Sequence, residues 1–263
     1  MLGAMIGDIA GSRFEWENHK SKDFVFFMPP CRFTDDSVMT AAVAEALMNS
    51  APDHSDLAAR AVESMQRLGR AHIDAGYGGR FFIWLLSDRP EPYGSFGNGA
   101  AMRISPVAWA ARDEEEVRRL SDAVTGVSHN HPEGMKGAEA AAMAAFMALH
   151  GKSITQIRER IVRDYYPLGF TLDGISSGYR FDVTCQGSVP VALEAFLESA
   201  GFEDAVRLAV SVGGDSDTIA AITGGIAEAY YGIPEDMVSE ARAYLSDDLK
   251  AILDRFTEYV GHS

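Results

Sequence analysis

The sequence is poor in cysteine and in basic residues, and both shortages restrict what the protein can be. Only Cys31 and Cys185 occur among 263 residues, too few for a disulfide framework, so we expect a protein of the reducing cytoplasm. Lysine and arginine number 23 against 38 aspartates and glutamates, which gives a formal net charge of −15. Since nucleic acids and anionic membranes are bound through basic patches, we expect neither as a partner.

Long apolar runs are missing as well. The longest, residues 140–149, has about half the length that a membrane-spanning helix needs, so no such helix is expected. The N-terminal apolar stretch lacks a preceding basic region and contains Asp8, which argues against a signal peptide. The apolar content of 47% suffices for one large core, and no Pro/Ser/Gly-rich linker divides the chain. We therefore expect one domain over residues 1–263, and a monomer.

Apolar residues recur at helical spacing through most of the chain. Stripes at i, i+4 and i+8 follow Asp36, Gly137 and Thr218, and the turn signal at residues 232–234 ends the last of them. Further helices are predicted over residues 55–70, 114–125, 153–164, 189–199, 203–211 and 235–258. Residues 24–27 form the only short strand candidate. The pattern predicts an all-α orthogonal bundle.

Two short acidic clusters each stand directly before a predicted helix. They are Thr34-Asp35-Asp36 and Asp215-Ser216-Asp217-Thr218. Each could be a plain helix cap, because Asp, Ser and Thr are preferred N-caps and acids are stabilised in a first turn. A cap needs one oxygen, however, whereas each cluster offers at least three within four residues. An oxygen-only set without Cys or His favours Mg²⁺, Mn²⁺ or Ca²⁺ over Zn²⁺.

With these clusters, the sequence resembles the ADP-ribosylglycohydrolase family, which includes the dinitrogenase reductase-activating glycohydrolases. The matching motifs stand in the family's order over nearly the whole chain: residues 3–11 followed by Glu15, then 33–37, 95–103, 128–132, 183–190 and 213–218 with Gly224 and Gly225. Ser37 and Ser216 replace threonines that are usual in the family, and both changes keep the hydroxyl group. The resemblance implies an all-α bundle around a binuclear centre of two Mg²⁺ or Mn²⁺ ions.

The resemblance also implies ligands and catalytic residues. The metal ligands would be Thr34, Asp35 and Asp36 for one ion, Asp215 and Thr218 for the other, and Asp217 as the bridge. Glu15 matches an acidic residue that approaches the metals, and the catalytic candidates are Glu15, Asp35 and Asp36.

Substrate-binding residues follow from the same resemblance. The set comprises Gly78, Gly79, Ser95, Phe96, Gly97, Asn98, Gly99, Arg103 and His131. The glycine loops, which could by themselves be plain turns, would let backbone amides approach the ADP-ribose diphosphate. Phe96 matches an aromatic residue that stacks on adenine, although an isolated phenylalanine is as readily a core residue. His131 would donate a hydrogen bond to the diphosphate or ribose, and Arg103 could instead pair with a buried acid at the metal rim.

Two further features are interpreted as structural. His129 and His131 resemble a zinc-binding pair but have no third His or Cys partner, so zinc is not expected. Cys185 has no basic neighbour that would activate its thiol, so we predict a buried small residue rather than a nucleophile.

The function implied by the resemblance is hydrolysis of the glycosidic bond at ribose C1″, which releases ADP-ribose from a modified protein or small molecule. The cations would bind ribose hydroxyls and polarise water, while Glu15 orients or deprotonates a group beside them. Another two-metal hydrolase, such as a phosphoesterase, and a non-catalytic ADP-ribose-binding module are the alternatives. Phe96 weighs against the first, and the full acidic set with Glu15 weighs against the second. The choice of acceptor depends on the mouth of the pocket, including the loop at residues 173–181.

Overall fold

The computed structural model describes residues 1–261, and fourteen α-helices account for most of them. The helices are α1 Leu2–Gly11, α2 Asp35–Asn49, α3 Leu57–Ala71, α4 Gly79–Leu86, α5 Ser105–Ala110, α6 Glu114–Thr125, α7 Pro132–Leu149, α8 Ile154–Asp164, α9 Leu172–Ser176, α10 Cys185–Leu197, α11 Phe202–Ser211, α12 Ser216–Tyr231, α13 Glu235–Arg242 and α14 Asp247–Gly261. A single 3-10 turn spans Asn98–Ala100. The all-α prediction is confirmed, and none of the described helices is long and apolar enough to cross a membrane.

The strand candidate at residues 24–27 was wrong, because residues 1–261 contain no strand. The backbone carbonyls of this segment accept hydrogen bonds from arginine side chains rather than from a neighbouring strand. Arg207 donates to the carbonyl of Phe24 at 2.7 Å, and Arg13 donates to the carbonyl of Val25 at 2.5 Å. The rings of Phe26 and Phe27 pack edge to face, with centroids 4.8 Å apart. The aromatic residues that suggested a strand instead anchor an irregular loop.

The helix predicted over residues 235–258 is two helices, α13 and α14. Between them, Leu245 turns into the core with 3% exposure. The carbonyl of Ser246 accepts from the amide of Lys250 at 3.0 Å, so a new helix starts there. The Ser246 hydroxyl also donates to Asp248 Oδ1 at 2.5 Å. This local serine–aspartate pattern overrides the apolar periodicity that runs through the break.

Helix α10 begins at Cys185, four residues before the predicted 189, because Thr184 caps it. The Thr184 hydroxyl accepts from the amide of Gly187 at 3.1 Å. Helices α4, α5 and α9 were not predicted, since each is too short to show a periodic apolar pattern.

Helices α1 and α12 pack backbone to backbone, and this contact positions the acidic residues. Every residue of α1 is buried. A methyl group on Gly7 would lie 2.0 Å from the carbonyl oxygen of Ala220, and one on Gly11 would lie 2.5 Å from Cα of Asp217. Glycines at i, i+4 and i+8, beginning with Gly3, therefore let α1 approach α12 more closely than any side chain would permit.

Gly7→Ala should destabilise the protein by about 3 kcal/mol or more, at the upper end of the usual cost of overpacking, because the obstacle is backbone rather than a flexible side chain. The measurement is the free energy of unfolding from denaturant titration. Gly169→Ala is the matched control, since a methyl group there meets nothing within 4 Å. Equal stabilities for the two variants would contradict the close packing of α1 on α12.

Candidate active site

A cavity of about 520 Å³ receives the N-terminal ends of α2 and α12. Both acidic clusters therefore face one space. Most of the residues predicted from sequence line it: Glu15, Thr34, Asp35, Asp36, Gly78, Gly79, Ser95, Gly97, Asn98, Gly99, Arg103, Asp215, Asp217 and Thr218. A volume of this size is typical of a small-molecule site.

Asp8, at the centre of the buried helix α1, organises the first cluster. Its Oδ2 accepts from the amides of Thr34 at 2.8 Å and Ser37 at 3.0 Å, and from the Ser37 hydroxyl at 2.5 Å. Its Oδ1 accepts from the Thr34 hydroxyl at 2.7 Å. Asp8 is not among the site residues predicted from the sequence. The available signal was a single aspartate inside an otherwise wholly apolar helix, where a charge needs partners to be stable.

The carboxylates form two sets that share one member. Asp8, Asp36 and Asp217 each offer an oxygen within 4.8 Å of the others, and so do Glu15, Asp215 and Asp217. Oδ1 of Asp36 is buried and has no hydrogen-bond partner among the described residues. An unpartnered buried carboxylate oxygen beside other carboxylates is the chemistry that a hard cation satisfies. Both sets could therefore hold a metal ion.

The remaining predicted ligands differ in how closely they join these sets. The Thr218 hydroxyl donates to Asp36 Oδ2 at 3.3 Å, which links the two clusters directly. The Thr34 hydroxyl is turned toward Asp8. Asp35 lines the cavity, but among the described residues its carboxylate belongs to neither set.

Crowding and burial make these acids hard to ionise. Burial raises the pKa of Asp36 and of Asp217 well above the usual value, and the neighbouring charges of Asp8 and Asp215 raise them further. Burial, together with the charge of Asp8, raises the pKa of Asp35 to about 8. Burial and then the charge of Asp215 raise the pKa of Glu15, which is half-buried, to about 7. Bound cations would lower these pKa values again, because a neighbouring positive charge favours the ionised carboxylate.

Asn98, predicted to bind substrate, also supports the second acidic cluster. Its Nδ2 donates to Asp215 Oδ2 at 2.6 Å and to the Ser188 hydroxyl at 3.0 Å. The backbone around it is held by an isolated antiparallel bridge between Gly97 and Thr184.

Arg103 is 1% exposed and lines the cavity. Its Nη2 donates to the Ser128 hydroxyl at 2.8 Å and lies 3.4 Å from His129 Nδ1, so its hydrogen bonds do not go to an acid at the metal rim. Burial lowers its pKa to about 10, at which it still carries a full charge near neutral pH.

Phe96 and His131 lie outside the residues that line the cavity. Phe96 is 42% exposed, and its ring packs edge to face on His131 with centroids 5.2 Å apart. His131 caps α7, since its Nδ1 accepts from the amide of Glu133 at 3.1 Å. His129, which had been assigned a structural place, lines the cavity instead. Burial lowers its pKa well below the usual value, which favours the neutral ring.

Cys185 is fully buried, as predicted. Burial raises the pKa of its thiol to about 12, and Sγ donates to the carbonyl of Gly97 at 3.2 Å. A thiol in this state is not a nucleophile near neutral pH.

The cavity rim includes Phe181, at the end of the 173–181 loop that was expected at the mouth, and also Trp16 and Val183, which were not predicted because they come from irregular loops. Trp16, Phe181 and Val183 line the cavity and are 75%, 42% and 50% exposed. The rings of Trp16 and Phe181 stack with centroids 5.2 Å apart and an interplanar angle of 23°. Exposed aromatic residues at a cavity mouth are a recognisable signal only once the fold has brought the two loops together.

The family model of the ADP-ribosylglycohydrolases matches residues 1–262. The chain belongs to the ADP-ribosylglycohydrolase family. It is therefore a hydrolase, and the resemblance noted in the sequence is confirmed.

Several curated relatives are similar over most of the chain. ADP-ribosylhydrolase ARH3 of Homo sapiens is 25% identical, with 95% of this chain and 90% of the relative covered. ADP-ribosylarginine hydrolase Tri1 of Pseudomonas putida (strain GB-1) is 25% identical, with coverage of 89% and 70%. ADP-ribosyl-[dinitrogen reductase] glycohydrolase of Rhodospirillum rubrum is 26% identical, with coverage of 89% and 82%.

A solved structure, an ADP-ribosylglycohydrolase-related protein complex, has the same fold. Its TM-score is 0.70 at 24% identity, and the match covers 95% of this chain and 93% of that one.

The raised pKa values predict how the metal-free protein responds to pH. Glu15 and Asp35 have pKa values of about 7 and about 8, whereas unfolded carboxylates titrate near 4. Their stabilising contribution is therefore complete below about pH 4 and is lost as the pH rises through about 7 and 8. The melting temperature of metal-free protein should fall between about pH 5 and pH 8.5, and saturating Mg²⁺ should oppose the fall.

Thermal unfolding in a chelating buffer measures this dependence, with Asp35→Asn as the control. That variant cannot ionise at residue 35, so its melting temperature should fall less steeply with pH. A wild-type melting temperature that stays level or rises over this range would contradict the assignment.

Proposed function

We propose that the protein removes ADP-ribose from a modified protein or small molecule by hydrolysing the glycosidic bond at ribose C1″, with two Mg²⁺ or Mn²⁺ ions as cofactors. The observation that carries this proposal is the pair of carboxylate sets that share Asp217 and meet at one cavity with Glu15. The printed names of the relatives support ADP-ribosylated acceptors as the substrate class and ADP-ribose as the product.

We assign Thr34, Asp35 and Asp36 to one ion and Asp215 and Thr218 to the other, with Asp217 as the bridge. Asp8 is better assigned to support than to ligation, because its oxygens already accept four hydrogen bonds from the Thr34 and Ser37 donors. When bound, such cations supply Lewis acidity and orient hydroxyl groups. The acidic residues fit them, because every side chain involved offers oxygen and none offers nitrogen or sulfur.

Glu15 is the residue best suited to move a proton. Burial raises its pKa to about 7 in the metal-free protein, and cations bound beside it would favour the ionised carboxylate, the form that can accept a proton. It lies beside Asp215 and Asp217 and lines the cavity. We propose that its carboxylate accepts a proton from the attacking water and returns one to the leaving group.

The glycine segments that line the cavity suit a diphosphate. Gly78 and Gly79 stand at the start of α4, where backbone amides are unpaired and the helix dipole favours an anion. Gly97 and Gly99 offer a second approach for phosphate oxygens, and Arg103 contributes positive charge nearby. Phe96, exposed just outside the cavity lining, is proposed to stack on adenine, with His131 behind its ring. We further propose a monomer in the cytoplasm, with no nucleic-acid partner because the net charge is −15.

The function is tested with ADP-ribosylated peptides that differ only in the linkage to arginine or serine. The protein should release free ADP-ribose from at least one of them. EDTA should abolish release, and Mg²⁺ or Mn²⁺ should restore it better than Zn²⁺, since the ligands are hard oxygens. Cleavage within the diphosphate would instead indicate a phosphoesterase. Tight ADP-ribose binding without any release would indicate a binding module.

Glu15→Gln should lower kcat by roughly 10²–10⁴-fold, the usual scale of general acid–base catalysis, because the variant cannot accept a proton. ADP-ribose affinity should change far less, since it is a property of the ground state. Glu17→Gln, at an exposed position in the same loop outside the cavity lining, is the matched control. A Glu15→Gln variant that turns over within a few fold of wild type would assign the proton transfer to another acid.

A further inference from the structure

The loop that carries Glu15, residues 12–34, contains no helix or strand, so side-chain contacts must fix its position. Residues 16–18, directly after Glu15, are exposed. A general acid or base has to be held to within a few tenths of an ångström of its productive place, and a free loop does not achieve this. Two polar side chains of the loop, Asn18 and Lys20, reach across to the segment that precedes Asp215.

Asn18 joins the backbone beside Glu15 to the backbone beside Asp215. Its Oδ1 accepts from the amide of Gly214 at 2.7 Å, and its Nδ2 donates to the carbonyl of the same glycine at 3.3 Å. Nδ2 also lies 3.3 Å from the carbonyl of Glu15. One amide group therefore contacts the residue next to Asp215 and the backbone of Glu15 itself.

Lys20 joins three segments. Its Nζ donates to the carbonyls of Ser176 at 2.9 Å and Tyr179 at 3.2 Å, and to the carbonyl of Val212. An ammonium group has three protons, and here each has a backbone carbonyl as its acceptor. Ser176 ends α9, Tyr179 belongs to the loop that leads from it to Phe181 at the cavity rim, and Val212 begins the turn before Asp215.

The turn at Gly213 and Gly214 is shaped to fit beneath these side chains. Both glycines have positive φ, 73° and 77°. A methyl group on Gly213 would lie 2.8 Å from Asn18 Oδ1 and 2.9 Å from Lys20 Nζ, and one on Gly214 would lie 2.5 Å from the ring of Tyr179. The contact is close on both faces of the turn, so a displacement of the Glu15 loop would displace the turn as well.

We propose that Lys20 and Asn18 are positioning residues. They hold three segments as one unit: the Glu15 loop (residues 12–34), the segment 176–181 at the cavity rim, and the turn at residues 212–214 before Asp215. Through this unit, Glu15 keeps its place relative to Asp215 although neither positioning residue touches the reacting atoms. The catalytic part of the inference rests on the proposed function. The structural part concerns the geometry of the Asp215 turn and can be tested without any substrate.

Lys20→Met keeps the length of the side chain and removes the ammonium group. Calorimetric titration with Mn²⁺ should show an affinity about 10–100-fold lower than that of wild type, the usual cost of losing a group that orients a ligand. Hydrogen exchange should become faster in residues 212–214 and 176–179. Lys22→Met is the matched control, because the exposed side chain of Lys22 pairs at 2.7 Å with Asp204, away from the turn before Asp215, and its loss should leave both measurements unchanged.

A double-mutant cycle separates positioning from general stability. Lys20→Met should lower kcat about tenfold at temperatures well below its melting point. In the Glu15→Gln background the same substitution should leave kcat almost unchanged, since the two residues act as one unit. A purely structural lysine would lower the melting temperature while leaving Mn²⁺ affinity, exchange and kcat unchanged, and that result would overturn the proposal. Fully additive effects on kcat would overturn its catalytic part.

Two further outcomes are informative. If wild-type protein releases no ADP-ribose, the proposed function fails, while Mn²⁺ affinity and hydrogen exchange still decide whether Lys20 orders the Asp215 turn. If Lys20→Met does not fold, Asn18→Ala takes its place. That variant removes the Gly214 contacts and leaves the Lys20 ammonium, and it should show the same loss of Mn²⁺ affinity. Unchanged affinity in folded Asn18→Ala protein would overturn the proposal.

Discussion

The structure depends on keeping several like charges buried at one point. Carboxylate oxygens of Asp8, Asp36 and Asp217 lie within 4.8 Å of one another in the interior, where charges repel more strongly than in water. Such an arrangement persists only if the acids are protonated, hydrogen-bonded or paired with cations. The protein uses hydrogen bonds for Asp8, whose partners are the Thr34 and Ser37 donors. Burial raises the pKa of Asp36 and of Asp217 well above the usual value although each accepts a hydrogen bond from Thr218, so a bound cation would stabilise their ionised forms.

Much of the fold can be understood as the scaffold for this cluster. Helices α2 and α12 point their N-terminal ends at the cavity, where their dipoles favour negative charge. Helix α1 carries Asp8 to the same place, and it gets there because Gly7 and Gly11 let it pack directly against the backbone of α12. A helix with ordinary side chains would lie several ångströms farther out, and Asp8 could no longer reach the backbone of Thr34. The small residues of α1 are thus as necessary to the site as the acids themselves.

Loops rather than helices form the exposed rim of the cavity. Glu15, Trp16, Phe181 and Val183 all come from irregular segments, and the stacked rings of Trp16 and Phe181 connect two of them at the rim. Helices fix the acidic groups that are proposed to bind the metals, whose geometry must be constant for any substrate. Loops can vary in length and sequence without disturbing that core, so differences in acceptor choice within the family are expected to reside here.

The sequence by itself determined what depends on neighbours along the chain. The two acidic clusters could be recognised because helix starts follow local rules, and the long helices because their apolar stripes are periodic; helix α6 spans the predicted residues, 114–125. Predictions from sequence neighbours were wrong or incomplete where contacts between distant residues determine the structure. The arginines that satisfy the 24–27 loop, the role of Asp8 and the place of His129 at the cavity all depend on residues from elsewhere in the chain. Only the tertiary structure decided these points, because the energy of a buried charge or an unpaired carbonyl depends on which groups surround it in space.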